Sequence, residues 1–205
     1  MKTNLKKVVL PILLLVTAAL IIGPSCSGPG LPPPLADPCS TIGTPLQNSL
    51  TAIKASGQAE NITYDTEIHS YAFKMSVAGK ICSIGYQSQP AIANMVSYKM
   101  EILNNSGVIY TENMAFNSSQ VSYVAIPPVA LLANTVYVIR RTTLPSVNVV
   151  NRIGSVVANA GTNYFPYTNG IMTITSSQFY DINSSTPSAL ANKGIPRIDF
   201  AFIPD

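Results

Sequence analysis

The side chains able to do acid–base, nucleophilic or metal chemistry are few. His69 is the one histidine, nine carboxylates are scattered from Asp37 to Asp205, and there are three cysteines, Cys26, Cys39 and Cys82. Nucleophilic catalysis needs a base beside a Ser or Cys. No nucleophile motif accompanies His69, so it reads as an exposed or hydrogen-bonded strand residue. Glycoside hydrolysis needs two converging carboxylates, and no pair here sits in a recognisable motif. Asp65 and Glu67 would share one strand face, as solvated acids usually do. There is no Cys-x-x-Cys and no acid-rich calcium loop, so neither a metal nor a cofactor is expected. Arg140 and Arg141 in a strand point to opposite faces and make no basic patch. These residues together predict a protein that is not an enzyme.

Contact chemistry has one candidate. Tyr164, Phe165, Pro166 and Tyr167 lie between Gly161 and the turn pair Asn169-Gly170. Aromatics in a loop stack on sugar rings or anchor a protein partner. The alternative is that they plug one end of the fold, and the absence of Trp weakens a sugar platform.

The elements that must position these residues read as strands. Tyr71, Phe73, Met75 and Val77 alternate with Ser70, Ala72, Lys74 and Ser76, the period of a half-buried strand. Ala78-Gly79 offers a reversal, and residues 80–86 a return strand, so residues 69–86 are expected to form a central hairpin. Further strands are read at residues 61–68, 95–103, 108–111, 120–126, 134–142, 147–150, 153–157, 171–176 and 195–203. Turn chemistry at Asn104-Asn105-Ser106-Gly107 separates two of them. Residues 39–60 are read as an irregular lead-in or a short edge strand, because Gly43, Pro45 and Gly57 crowd the helically spaced Leu46, Leu50 and Ile53. The expected fold class is all-β: a two-sheet antiparallel sandwich, jelly-roll-like, behind an N-terminal signal helix and a Pro-rich tether.

The first segment reads as an address. Lys2, Lys6 and Lys7 precede residues 8–22, which are apolar but for Pro11 and Thr17, and Gly23, Pro24, Ser25 and Cys26 follow. This is the layout of a secretory signal, and the apolar run is shorter than the roughly 20 residues of a transmembrane span. Twelve basic residues against nine acidic give a net charge of +3. The three lysines of the signal account for that excess, so the remainder is formally neutral. A neutral surface gives no footprint for nucleic acid. Residues 27–38 carry five prolines and should run extended as a spacer of roughly 35 Å.

Cys26 resembles the lipidated cysteine of a bacterial lipoprotein, although Gly23 and Pro24 stand where an aliphatic and a small residue are usual. The resemblance implies a signal peptide over residues 1–25, a tether over 26–38 and a sandwich over 39–205. It also implies export and a lipid anchor in the membrane of a Gram-negative envelope, the outer membrane being expected. Ser27-Gly28-Pro29-Gly30 lacks the acidic residues that mark surface export in some bacteria, which favours the periplasmic side. With Cys26 acylated, Cys39 and Cys82 are left as a pair, either bridged or both free.

Four stretches carry a second likeness: SYAFKMSVAGKICSIGYQ, SYKMEILNNSGVIYTENMAF, IPPVALLANTVYVIRRT and, more loosely, FPYTNG with RIDFAF. From Tyr71 to Ile203 they resemble a bacterial domain family of unknown function, jelly-roll-like β-sandwiches found beside sugar-active or adhesive modules. The usual Trp of the second hairpin is missing, and the resemblance carries no functional residue with it. The functional expectation is a non-catalytic binding or adhesion module for glycan or protein, or a structural component assembling with another envelope protein. A polysaccharide hydrolase ranks last.

Overall fold

The computed structural model describes residues 39–62, 66–88, 97–143, 155–158, 165–182, 186 and 191–205. The signal and tether readings therefore fall outside the described residues, as do the strand read at 147–150 and Tyr164. Two antiparallel sheets form a sandwich. The larger has six strands: β2 (Ile68–Met75), β4 (Ser97–Asn104), β5 (Gly107–Ala115), β7 (Tyr137–Thr143), β9 (Tyr167–Asn169) and β10 (Met172–Tyr180), in the order β5-β4-β7-β2-β10-β9. The smaller has three: β3 (Gly79–Tyr86), β6 (Ser122–Leu131) and β11 (Asp199–Pro204), in the order β11-β3-β6. β1 (Ala59–Ile62) and β8 (Ser155–Ala158) pair separately as a two-stranded ribbon.

The alternation holds for Tyr71, Phe73 and Met75, which face the interior and are buried, but not for Val77, which lies past the end of β2 and is 38% exposed. The inner faces meet where Phe73 of β2 lies 4.9 Å from Phe200 of β11, ring centre to ring centre. The Tyr71 hydroxyl donates to the Ile198 carbonyl at 2.7 Å, a second tie between the sheets.

The expected central hairpin is not formed. β2 pairs with β7 and β10, whereas β3 pairs with β11 and β6. The two strands sit at the heart of opposite sheets, and residues 76–78 arch from one to the other. Gly79 has the wrong job for a hairpin turn: its φ is not positive, and it already pairs with Pro204 and Leu131. A Cβ at Gly79 would stand 2.3 Å from the Ile203 carbonyl oxygen and 2.4 Å from the Phe202 ring. The glycine is there because β11 passes too close for any side chain. Gly79→Ala is expected to destabilise the domain by about 1–3 kcal/mol, the scale of overpacking, as measured by urea unfolding.

Two other expectations are corrected. Residues 45–55 form a helix, α1 (Pro45–Ala55), not a lead-in or edge strand. The residues taken for breakers are its boundary signals. Thr44 is the N-cap, accepting from the Gln47 backbone N–H at 3.1 Å, and Pro45 occupies the first turn, where its missing N–H costs nothing. The Gln47 side chain reaches back to the Gly43 N–H at 2.9 Å, close to a capping box. Gly57, just past the end, has φ 93°. Leu46, Leu50 and Ile53 then make one buried stripe that joins the core. α1 packs on β9, β10 and β11, so it closes the gap between the edge strands of the two sheets on that side.

The second correction is to the strand ending at residue 126. β6 continues through Pro127 and Pro128 to Leu131. Prolines are tolerated because β6 is an edge and the ladder is interrupted there. The register jumps from Ser83↔Ala125 to Ile81↔Val129, leaving the prolines in the bulge.

Candidate functional site

Among the described residues, nothing closes the side of the sandwich opposite α1. There β5 ends the six-stranded sheet and β6 ends the three-stranded one, and no described strand pairs the outer edge of either. Between them lies a groove of about 530 Å3, built from Ile109 and Tyr110 of β5, Pro127 to Ala130 of β6, and Asn104, Leu132 and Tyr137 near its end. Its size falls in the roughly 300–1,000 Å3 range of ligand clefts. Ile109 is 40% exposed and Leu132 67% exposed, unusually open for such side chains.

Local sequence explains the shape. The Asn104–Gly107 turn joins β4 to β5, with Asn104 Oδ1 accepting from the Ser106 N–H at 2.8 Å. A bulge at Ile102/Leu103 follows. Tyr110, Glu112 and Met114 lie opposite the buried Ile102, Met100 and Tyr98, so they take the inward face of the edge strand. The Tyr110 hydroxyl donates to the Glu112 carboxylate. Burial, then that carboxylate, pushes the phenol well above its ordinary range. Tyr137 lies at the groove floor, its hydroxyl accepting from the Leu132 N–H at 2.9 Å. No lining residue is charged; Glu112, hydrogen-bonded to the lining Tyr110, is the only charge on β5, and β6 has none.

The sequence-predicted residues do not meet at this groove. Cys39 and Cys82 are joined as a disulfide, with Cα atoms 5.9 Å apart. Phe165 and Tyr167 are half-buried and pack against the core cluster, at and beside β9, on the side that α1 closes. Cys26 and Tyr164 lie outside the described residues. The groove residues were not singled out, because Pro127-Pro128 read as a strand end and Tyr110 as an ordinary strand tyrosine. The usable signal was an edge strand of nine residues with a single charge.

The interior at the end near residues 66–69 is polar. His69 and Arg141 are both fully buried, and they are cross-strand partners on β2 and β7. Arg141 Nη2 lies 2.9 Å from His69 Nδ1, and Nη1 donates to the Glu67 carbonyl at 3.2 Å. The guanidinium lies 5.5 Å from the ring centres of both Tyr86 and Tyr98, which are themselves 5.1 Å apart, a cation–π arrangement. Phe179 of β10 packs its edge on the imidazole. His69 is hydrogen-bonded, then, but not exposed. Arg141 can only donate, so Nδ1 must accept and the imidazole is neutral. Burial, and secondarily the Arg141 charge, hold its pKa well below 6.5.

A base whose folded pKa is depressed contributes stability that is full above its unfolded pKa and is lost as pH falls below it. Here loss begins near pH 6.5 and proceeds at up to about 1.4 kcal/mol per pH unit until the depressed folded-state value is reached. Urea unfolding from pH 8 to 4.5 should show this slope. His69→Gln, which keeps an acceptor for Arg141 but does not titrate, should flatten it. A single histidine resonance titrating near 6.5 in the folded protein, with no loss of stability, would contradict the buried neutral assignment.

Among the described residues, two carboxylates are well buried, and each is engaged locally. Glu101 accepts from Arg140 at 2.7 Å and pairs with Lys99 at 2.8 Å. Burial alone would raise its pKa, but the hydrogen bonds from Arg140 and Lys99 outweigh that and lower it. Asp199 accepts from the Thr44 hydroxyl at 2.7 Å, from the Tyr123 hydroxyl, and from Gln47 Nε2 at 3.1 Å. They belong to different sheets and do not form an acid–base pair. No family model, curated protein or solved structure matches the chain.

Proposed function

We propose that this chain is an exported, lipid-anchored protein of the bacterial cell envelope whose sandwich is a non-catalytic binding module for a glycan or another envelope protein. The observation that carries the reading is the open groove between β5 and β6, apolar and aromatic, on the side of the domain opposite α1. Exposed apolar surface of this kind is typical of contact sites. The Cys39–Cys82 bond suits an oxidising compartment outside the cytoplasm. The membrane is reached through Cys26 and the tether. Glu101 and Asp199 have partners that hold them in place rather than leaving them free for acid–base work.

A photo-crosslinking side chain at Val129, compared with one at Lys54 on the exposed face of α1, tests the reading in membranes of the native host. Adducts with polysaccharide or protein are expected from Val129 and not from Lys54. Equal yields at the two positions would overturn the binding role of the groove. Loss of palmitate label and of membrane association in Cys26→Ala is expected; a variant that keeps the label would overturn the anchor.

A further inference from the structure

Resting on the binding-module reading, we infer that the occupant of the groove is an extended polypeptide segment of a partner protein, carrying a Lys or Arg opposite Glu112 and apolar side chains beyond it. The backbone supplies the first argument. β5 runs for nine residues as the last strand of its sheet, and its outer edge pairs with no described strand. Such an edge offers a row of main-chain donors and acceptors to an added strand, with side-chain pockets giving specificity. The groove lies directly beside that row. An antiparallel segment whose residue n faces Glu112 would set residue n+2 opposite Tyr110, and so over Ile109 and the β6 prolines.

Charge supplies the second argument. The inward side of an edge strand is an unusual place for a carboxylate, and an inward charge there opposes indiscriminate strand pairing. Glu112 is the single charge on the two edges that border the groove. A second copy of this chain would bring another carboxylate to the same seam, which is unfavourable. A segment with a cation at that position satisfies both the charge and the backbone. A neutral glycan would use the Tyr and Asn side chains but would leave the strand edge unpaired and the Glu112 charge, which Tyr110 hydrogen-bonds without neutralising, with no counter-ion.

The test uses the isotope-labelled full chain and two capped hexapeptides, Thr-Lys-Thr-Val-Thr-Val and Thr-Glu-Thr-Val-Thr-Val, followed by amide chemical shifts. The lysine peptide is expected to move the resonances of β5 and of residues 127–132, and to bind at least tenfold more tightly than the glutamate peptide. Glu112→Lys, an exposed position, should reverse that order. Leu132→Lys, at an exposed position that lines the groove, should replace apolar surface with a repelling charge and weaken the lysine peptide at least tenfold, with an unchanged melting temperature showing that the fold is intact. Equal binding of the two peptides, or shifts located elsewhere, would overturn the assignment. Groove shifts caused by cellohexaose or xylohexaose, with none from either peptide, would also overturn it while leaving the binding-module reading in place. If none of the four probes moves the groove, the assignment again falls, and the Val129 crosslink decides the broader reading separately.

Discussion

Asp199→Ala is expected to lower the unfolding free energy by about 3–4 kcal/mol and to release α1 before the sandwich melts. Asp199 begins β11, and its carboxylate faces away from the sandwich interior, because Phe200, next in the strand, faces the core. There it gathers the Thr44 hydroxyl, Gln47 Nε2 and the Tyr123 hydroxyl, along with the N–H of Phe200 at 2.7 Å. Tyr123 reaches it across β3 only because Gly85, its register partner, has no side chain: a Cβ there would stand 2.4 Å from the ring. One row of three strands, Tyr123–Gly85–Asp199, thus becomes a socket for the first turn of α1.

Removing the carboxylate strands the buried Thr44 hydroxyl and Phe200 N–H and the half-buried Tyr123 hydroxyl, while Gln47 Nε2 keeps the Thr41 carbonyl. Each costs about 1 kcal/mol or more when left without an acceptor, so the sum lies at the upper end of single-substitution effects. Hydrogen exchange should show the α1 amides opening first, with the β2 and β7 amides still protected. Asp199→Asn keeps one acceptor oxygen and should lose about half as much. Burial raises the pKa of Asp199, outweighing the hydrogen bonds that oppose it. An acid with a raised folded pKa favours the folded state at low pH, and its cost appears as pH rises through that value. Acid lability of this domain should therefore follow His69, and below about pH 4.3 Glu101, rather than Asp199. An Asp199→Ala protein with an unchanged midpoint in urea would show that α1 is held by its Leu46–Leu50–Ile53 stripe alone.

The sheet class was legible because alternation survives translation into burial. Tyr71, Phe73 and Met75 point inward as their spacing requires, and the Asn104–Gly107 and Asn169-Gly170 turns sit between strands that do pair, β4 with β5 and β9 with β10. Pairing between distant strands was not legible. Alternation states which face of a strand is buried but not which sheet it joins, so β2 and β3 read as neighbours although they face each other across the core. Gly79 carried the clue in its type and misled by its place, since close approach and turn geometry both call for glycine.

The helix was misread for a related reason. Gly43, Pro45 and Gly57 read as interruptions, whereas Pro45 fits the first turn behind the Thr44 N-cap and Gly57 is the stop. Arg141 followed the same two-residue period as Tyr137 and Ile139, and that period placed its charge indoors. The groove was the least legible feature of all, because it exists only where two strands distant in sequence, β5 and β6, end their sheets without being covered.

Replacing Cys39 and Cys82 together by serine is the other large effect, and it tests whether the lead-in and the helix act as one unit. The bond spans 43 residues of sequence. Closing a loop of that length is worth about 4 kcal/mol in the chain-entropy account, a ceiling that native strain or denatured-state structure would reduce. The bond ties Cys39 to β3, between the register pairs that flank the Pro127-Pro128 bulge, while Asp199 holds Thr44 and Gln47 a few residues on. Both anchors fix the same short stretch of backbone. The serine pair and Asp199→Ala should therefore not be additive: with one anchor gone, residues 39–47 already loosen, and the other anchor has less ordered backbone left to lose. The triple variant is expected to fall short of the summed losses, by 1 kcal/mol or more on the order of neighbouring-site couplings. Strict additivity would mean that the disulfide acts on the unfolded chain only. A coupling of the expected sign would mean that the covalent bond and the buried carboxylate jointly seat α1, the element that closes one side of the sandwich and leaves the β5–β6 side as the one open to a partner.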